Sequence, residues 1–162
     1  KFEGSYEARG NIVKDSFVPS KYKQFWLTKN KKREVEIIFN GGSITELEIV
    51  PNEKEHARFD FIGINNYFDP LSSFLLILNG KEKSKTIDGR RLYSMVVEKQ
   101  ENYENTGIKK ILIKDYINIW ADHKRNDLEF IEIKRENNKK IFSMPEVMKI
   151  KFKGLLYKIR KI

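Results

Sequence analysis

Glu34-Val35-Glu36-Ile37-Ile38-Phe39-Asn40-Gly41-Gly42-Ser43-Ile44-Thr45-Glu46-Leu47-Glu48-Ile49-Val50 reads as two strands joined by a tight turn. Val35, Ile37 and Phe39 recur at every second position with Glu34, Glu36 and Ile38 among them, and Leu47 and Ile49 alternate with Glu46 and Glu48. A period of two puts these apolar side chains on one face of a sheet. Asn40-Gly41-Gly42 accepts the positive φ of a short turn, so the stretch predicts a β-hairpin with one buried face.

Outward from this hairpin the same logic repeats. Asp88-Gly89 separates Lys85-Thr86-Ile87 from Arg91 to Val97, and Asn137-Asn138 separates Glu129 to Arg135 from Lys139 to Met144. Ile111 to Trp120 reads as extended. Met148, Ile150 and Phe152 alternate with Lys149, Lys151 and Lys153; beyond Gly154 the apolar phase passes to Leu155, Tyr157 and Ile159. That change of parity predicts a glycine bulge or bend in a curved sheet. Phe2 to Tyr22 shows no clear period, and Pro51 to Tyr67 reads as a loop with one short extended piece around Arg58 to Ile62.

One segment has the helical period instead. In Asp69-Pro70-Leu71-Ser72-Ser73-Phe74-Leu75-Leu76-Ile77-Leu78-Asn79-Gly80, Leu71, Phe74, Leu75 and Leu78 fall at i, i+3, i+4 and i+7. Asp69 is placed to cap the free amides of the first turn, Pro70 fits the first helical position, and Asn79-Gly80 supplies a left-handed stop. With Leu76 and Ile77 added, the helix is apolar nearly all round and predicts burial on most sides. The expected fold is mainly β: a single curved antiparallel sheet or partly open β-barrel, with one short buried helix at about residues 70–79, in one domain over 1–162.

Composition narrows the function classes. Cysteine is absent, which removes disulfides, thiolate metal sites and cysteine nucleophiles within this chain. No apolar run approaches the roughly 20 residues of a membrane-spanning helix. The 32 Lys and Arg against 23 Asp and Glu give a formal charge of +9, which favours encounter with anionic lipid, glycan or nucleic acid. Those lysines are scattered and interleaved with acids, the pattern of a solvated surface.

The search for catalytic chemistry is empty. His56 and His123 sit in polar loop-like stretches without the spacing partners of a metal site. Glu46, Glu48, Glu129 and Glu132 are acid–base candidates by type, the first two on the polar face of an alternating strand. Ser20-Lys21-Tyr22-Lys23 matches Ser-x-x-Lys, but in an extended run residues three apart face opposite ways. No phosphate-cradling glycine loop exists, and no catalytic residue, metal site or cofactor is expected. Tyr22, Phe25 and Trp26 with Lys21, Lys23 and Lys29 come nearest to a nucleic-acid surface. The favoured reading packs Phe25 and Trp26 into the core, so nucleic acid is not expected as a partner.

The order of features resembles the bacterial family called domain of unknown function 3108, especially its alphaproteobacterial branch. The resemblance runs through Val18-Pro19-Ser20-Lys21-Tyr22, the Arg33 to Phe39 strand, Ile49-Val50-Pro51, Phe68-Asp69-Pro70-Leu71-Ser72-Ser73, Ile87-Asp88-Gly89-Arg90-Arg91-Leu92-Tyr93, Trp120 and the Pro145 to Gly154 close. It implies an exported, periplasmic protein and a fold like that of lipoprotein carriers, in which a curved sheet wraps a helix over an apolar concavity. The opening at Lys1 without Met also fits removal of a signal peptide.

The expected function is non-enzymatic: a periplasmic protein binding a lipid or other apolar ligand in the concavity of the sheet, with Leu71, Phe74, Leu75, Leu78 and Phe152 as its lining. A helix that simply fills the sheet as core meets the same pattern equally well. The rival expectation is a cell-envelope assembly or scaffold protein that holds a protein or anionic polymer partner through Lys149, Lys151 and Lys153.

Overall fold

A computed structural model describes residues 3–14, 16–120, 128–136 and 145–160. Its strands run in chain order as β1 (Glu3–Val13), β2 (Ser16–Leu27), β3 (Lys32–Asn40), β4 (Ser43–Val50) and β5 (Tyr67–Phe68). After the helix α1 (Pro70–Leu78) come β6 (Lys83–Ile87), β7 (Arg91–Tyr103), β8 (Thr106–Asn118), β9 (Leu128–Glu136), β10 (Val147–Phe152) and β11 (Leu155–Arg160).

The fold is mainly β with one short helix, as the periodicity predicts, but the strands form two sheets rather than one. A first sheet has the order β1-β2-β3-β4, a second the order β11-β10-β9-β8-β7-β6-β5, and neither closes into a barrel. All described ladders are antiparallel except that β5 runs parallel to β6. Each sheet is contiguous in sequence, so strands pair with the strands next to them in the chain. The ladder breaks after β4 because residues 51–66 lack any alternating run. Arg58 to Ile62, read above as extended, forms no strand. This loop is tacked instead to β4, through Ile44 N–H to Ile64 O at 3.2 Å and Gly63 N–H to Ile44 O at 2.7 Å.

The Asn40 hairpin forms as read, with Asn40 opposite Ser43 and Gly41 and Gly42 at φ 58° and 85°. Val35, Ile37, Phe39, Ile44 and Ile49 are buried on one face. The Asp88-Gly89 turn also forms; Asp88 Oδ1 accepts from the amides of Arg90 and Arg91 at 3.0 and 2.9 Å. Gly89 has φ 92°, and a Cβ there would stand 2.4 Å from Val35 Cγ1, so the turn presses directly on the first sheet. Gly154 is not a bulge in a continuing strand. Phe152 pairs with Leu155, and Lys153 and Gly154, at φ 50° and 73°, make a two-residue hairpin turn that reverses the chain. The register irregularity of this region lies just before it, between Lys151 and Phe152 opposite β9. Asn137-Asn138 and the run Lys139 to Met144 lie outside the described residues, as does His123.

The helix spans Pro70–Leu78 with Asp69 as its N-cap and Asn79 as its C-cap, followed by Gly80 at φ 102°. It touches strands of both sheets. Phe74, Ile77 and Leu78 pack into one cluster with Tyr93, Met95, Ile111, Ile113, Ile131 and Ile133 of the second sheet. Leu71 lies against the other cluster, in which Tyr22, Val35, Ile37, Phe39 and Ile44 of the first sheet meet Ile87, Leu92 and Ile119. Ser72 and Ser73 are fully buried where the helix meets β6: Ser73 Oγ bonds to Ser84 Oγ at 3.0 Å and Thr86 Oγ1 at 2.8 Å. Lys83-Ser84-Lys85-Thr86 thus alternates lysines outward with hydroxyls inward. The last helical carbonyls are met from the second sheet. Lys109 Nζ donates to Ile77 O and Arg135 Nη1 to Leu78 O, each at 3.0 Å, placing two cations at the negative end of the helix.

Candidate functional site

The five residues expected to line one apolar concavity are distributed over three environments. Phe74 and Leu78 are core, buried against the second sheet; Leu75 is partly buried beside the same cluster and Leu71 beside the other. Phe152 stands apart from the helix, on a cleft with Tyr6, Trp26 and Arg33. Leu76, left out of the expected set, reaches a groove.

That groove measures about 570 Å³. Phe17 and Val18 at the start of β2, Phe68 in β5 and Leu76 in α1 supply its apolar surface. Lys81, just past the helix, and Lys83 and Lys85, on the outward face of β6, form its basic side. The strand period of β6 explains the arrangement. Holding Ser84 and Thr86 against Ser73 leaves Lys83 and Lys85 on the exposed face of the strand, and both border the groove. Among the described residues no acid lines the groove. Lys83 Nζ approaches Asp115 at 3.5 Å, an exposed pair of little energetic weight, and Lys85 Nζ lies 5.5 Å from the Tyr67 ring. An apolar floor beside three ammonium groups suits an amphipathic anion: the tail removes apolar surface from water while the head meets the charges.

The three lysines of the scaffold expectation behave differently. Lys149 is paired with Glu132, its neighbour across the β9–β10 ladder, and Lys151 with Glu129 at 2.7 Å. Of the three, Lys153, in the turn and 5.5 Å from the Phe152 ring, forms no carboxylate pair among the described residues. These pairs convert the lysine row into a largely neutral stripe.

Phe25 and Trp26 are also corrected. Tyr22 is core, but Phe25 and Trp26 are only partly buried and belong to neither core cluster. Lys32 Nζ lies 6.0 Å from the Phe25 ring and the Arg33 guanidinium 5.4 Å from the Trp26 ring. Ser20 and Lys23 sit in β2, where three-residue spacing separates their faces, and no group of three or more His, Cys, Asp or Glu suited to a metal occurs among the described residues. His56 is exposed in the loop, as are Glu46 and Glu48 on β4.

Ionisation is perturbed where the core meets the helix cap. Burial, first, and then the charges of Asp69, Tyr6 and Asp88 hold the Tyr22 phenol far above its ordinary range, so it stays protonated. Burial raises the Asp69 carboxyl, opposed by hydrogen bonds from Ser72 and Leu71. Burial and the adjacent Arg135 lower Lys109. All three groups support packing and lie away from the groove's lining.

Comparison of the chain with protein-family models, with curated proteins and with solved structures finds no match in any of the three.

Proposed function

We propose that this chain is a non-enzymatic binding protein of the bacterial cell envelope whose ligand is an amphipathic anion, an acyl chain with a carboxylate or phosphate head. The observation that carries the reading is the groove, with Phe17, Val18, Phe68 and Leu76 beside Lys81, Lys83 and Lys85. Its volume falls in the range of small-molecule sites. The envelope location enters through the resemblance of motif order described above. The scaffold reading draws less support, since Lys149 and Lys151 already hold carboxylate partners.

Titration calorimetry with decanoate, kept below its micelle concentration, tests the reading. Saturable binding is expected, weakened about tenfold by Val18→Trp, which fills the floor, and by Lys81→Glu, which reverses a charge at the mouth. Absence of saturable heat, or binding indifferent to both substitutions, would remove the groove as the site.

A further inference from the structure

The register of the ladders places several turns at one end of the molecule. Arg91 pairs with Asn118 and Phe152 with Leu128, so the β6–β7 turn, the end of β8 and the β10–β11 turn lie together along the second sheet. The β2–β3 turn of the first sheet joins them. Lys31 and Arg33 share a cleft of about 350 Å³ with Phe152, Lys153, Arg90 and Arg91. Among the described residues that line the cleft, Asp88 is the one acid against five cations. Arg90 is paired with Glu53 at 2.7 Å, and Arg91 with Asp88 at 3.3 Å. The Arg91 Nε is buried without a hydrogen-bond partner among the described residues.

Beside this cleft the β10–β11 hairpin carries apolar side chains into solvent. Leu155 is 60% exposed, Leu156 61%, Tyr157 48% and Ile159 49%, and all six residues of β11 are exposed at the edge of the sheet. Between Phe152 and Arg160 the sequence holds Lys153, Lys158 and Arg160 and no acid; between Leu27 and Arg33 it holds Lys29, Lys31, Lys32 and Arg33 and again no acid. Large exposed apolar side chains interleaved with cations are costly in water and suited to the boundary of an anionic bilayer. There the leucines and tyrosine reach the acyl region while lysines and arginines meet lipid phosphates. The same surplus of cations disfavours a second copy of the chain, because a β11–β11 pair would add Lys153, Lys158 and Arg160 of one copy to those of the other with no acid between Phe152 and Arg160 to offset them.

We propose that the β10–β11 hairpin, flanked by the β2–β3 turn and the cationic cleft, docks this end of the protein on a membrane surface rich in anionic phospholipid. The inference goes beyond the acyl groove, rests on different residues, and can fail while the groove survives.

Flotation with vesicles of phosphatidylcholine alone, and of phosphatidylcholine with about a third phosphatidylglycerol, tests it. The full chain is expected to float with the anionic vesicles in low salt and to be released in about 0.5 M salt, where charges beyond a few ångströms are screened. Leu155→Ser with Leu156→Ser should abolish flotation, and these exposed positions should leave the thermal transition in place. Arg33→Gln and Lys153→Gln should each weaken binding about fivefold and flatten its salt dependence. No flotation with either vesicle, or equal flotation of the leucine double variant, would overturn the proposal. So would a concentration-dependent dimer in gel filtration that the double variant dissolves without any vesicle binding. Decanoate binding by the leucine double variant separates the two readings, since it should persist at the full-chain affinity.

Discussion

Asp69 has no exposed surface, and its carboxylate accepts hydrogen bonds from the amides of Leu71 and Ser72 at 2.9 and 3.0 Å and from the Ser72 hydroxyl. Burial nonetheless raises its pKa above 3.8. The folded chain therefore keeps this proton at pH values where the unfolded chain has released it. Stability from this group rises as pH falls from the raised folded value toward 3.8, and the ionised form is a cost at neutral pH. Asp69→Asn keeps an Oδ1 acceptor and is expected to stay within about 1 kcal/mol of the parent at neutral pH, whereas Asp69→Ala should lose about 1–2 kcal/mol with the cap. Urea midpoints at neutral pH and near pH 4.5 check the sign, since the parent should gain on the Asn variant as the pH is lowered. Asp69, Pro70, Asn79 and Gly80 were legible because capping is local. Lys109 and Arg135, which hold the other end of the helix from 32 and 57 positions away, left no local mark.

Helix α1 and strand β11 are both rich in large apolar side chains, yet their burial is opposite. Phe74 is packed among Tyr93, Met95 and the isoleucines of the second sheet; Leu156 touches neither core cluster. Phe74→Ala should cost about 3–5 kcal/mol through lost burial and the cavity left behind. Leu156→Ala should stay within about 0.5 kcal/mol, as exposed positions do. Equal urea midpoints for the two variants would contradict this assignment of core and surface. Elements with one wet and one dry face were readable, as in β3 and β4. Strand β1 was not, because ten of its eleven residues are exposed and no amphipathic period can arise. Strand β11 was seen but its turn misread, since a change of parity after glycine fits a reversal of direction as well as a bulge. The groove escaped for a related reason: its walls come from β2, β5, α1 and β6, and its helical member, Leu76, lies off the i, i+3, i+4, i+7 stripe.

For the whole molecule, the expectation of one curved sheet failed at a single place, the loop of residues 51–66. Periodicity reports which face of a strand is dry but carries no information about which distant strand stands opposite, so partition into two sheets was not readable from it. The division has a further consequence. Every described ladder closes within residues 3–50 or within 67–160, while one core cluster draws Tyr22, Val35, Ile37, Phe39 and Ile44 from the first part and Ile87, Leu92 and Ile119 from the second. The ladders are thus complete in each part, with only the loop contacts of Ser43 and Ile44 to residues 63–65 joining them by backbone among the described residues, but neither part alone can cover its apolar face. Cut between Lys54 and Glu55, both exposed, the chain should behave as complementing fragments. Each is expected to give poorly dispersed amide spectra by itself, and an equimolar mixture should recover the dispersed spectrum of the intact chain. A first fragment that folds alone would show that its sheet needs no partner, and the molecule would then be two bodies on a string instead of two halves of one shared core.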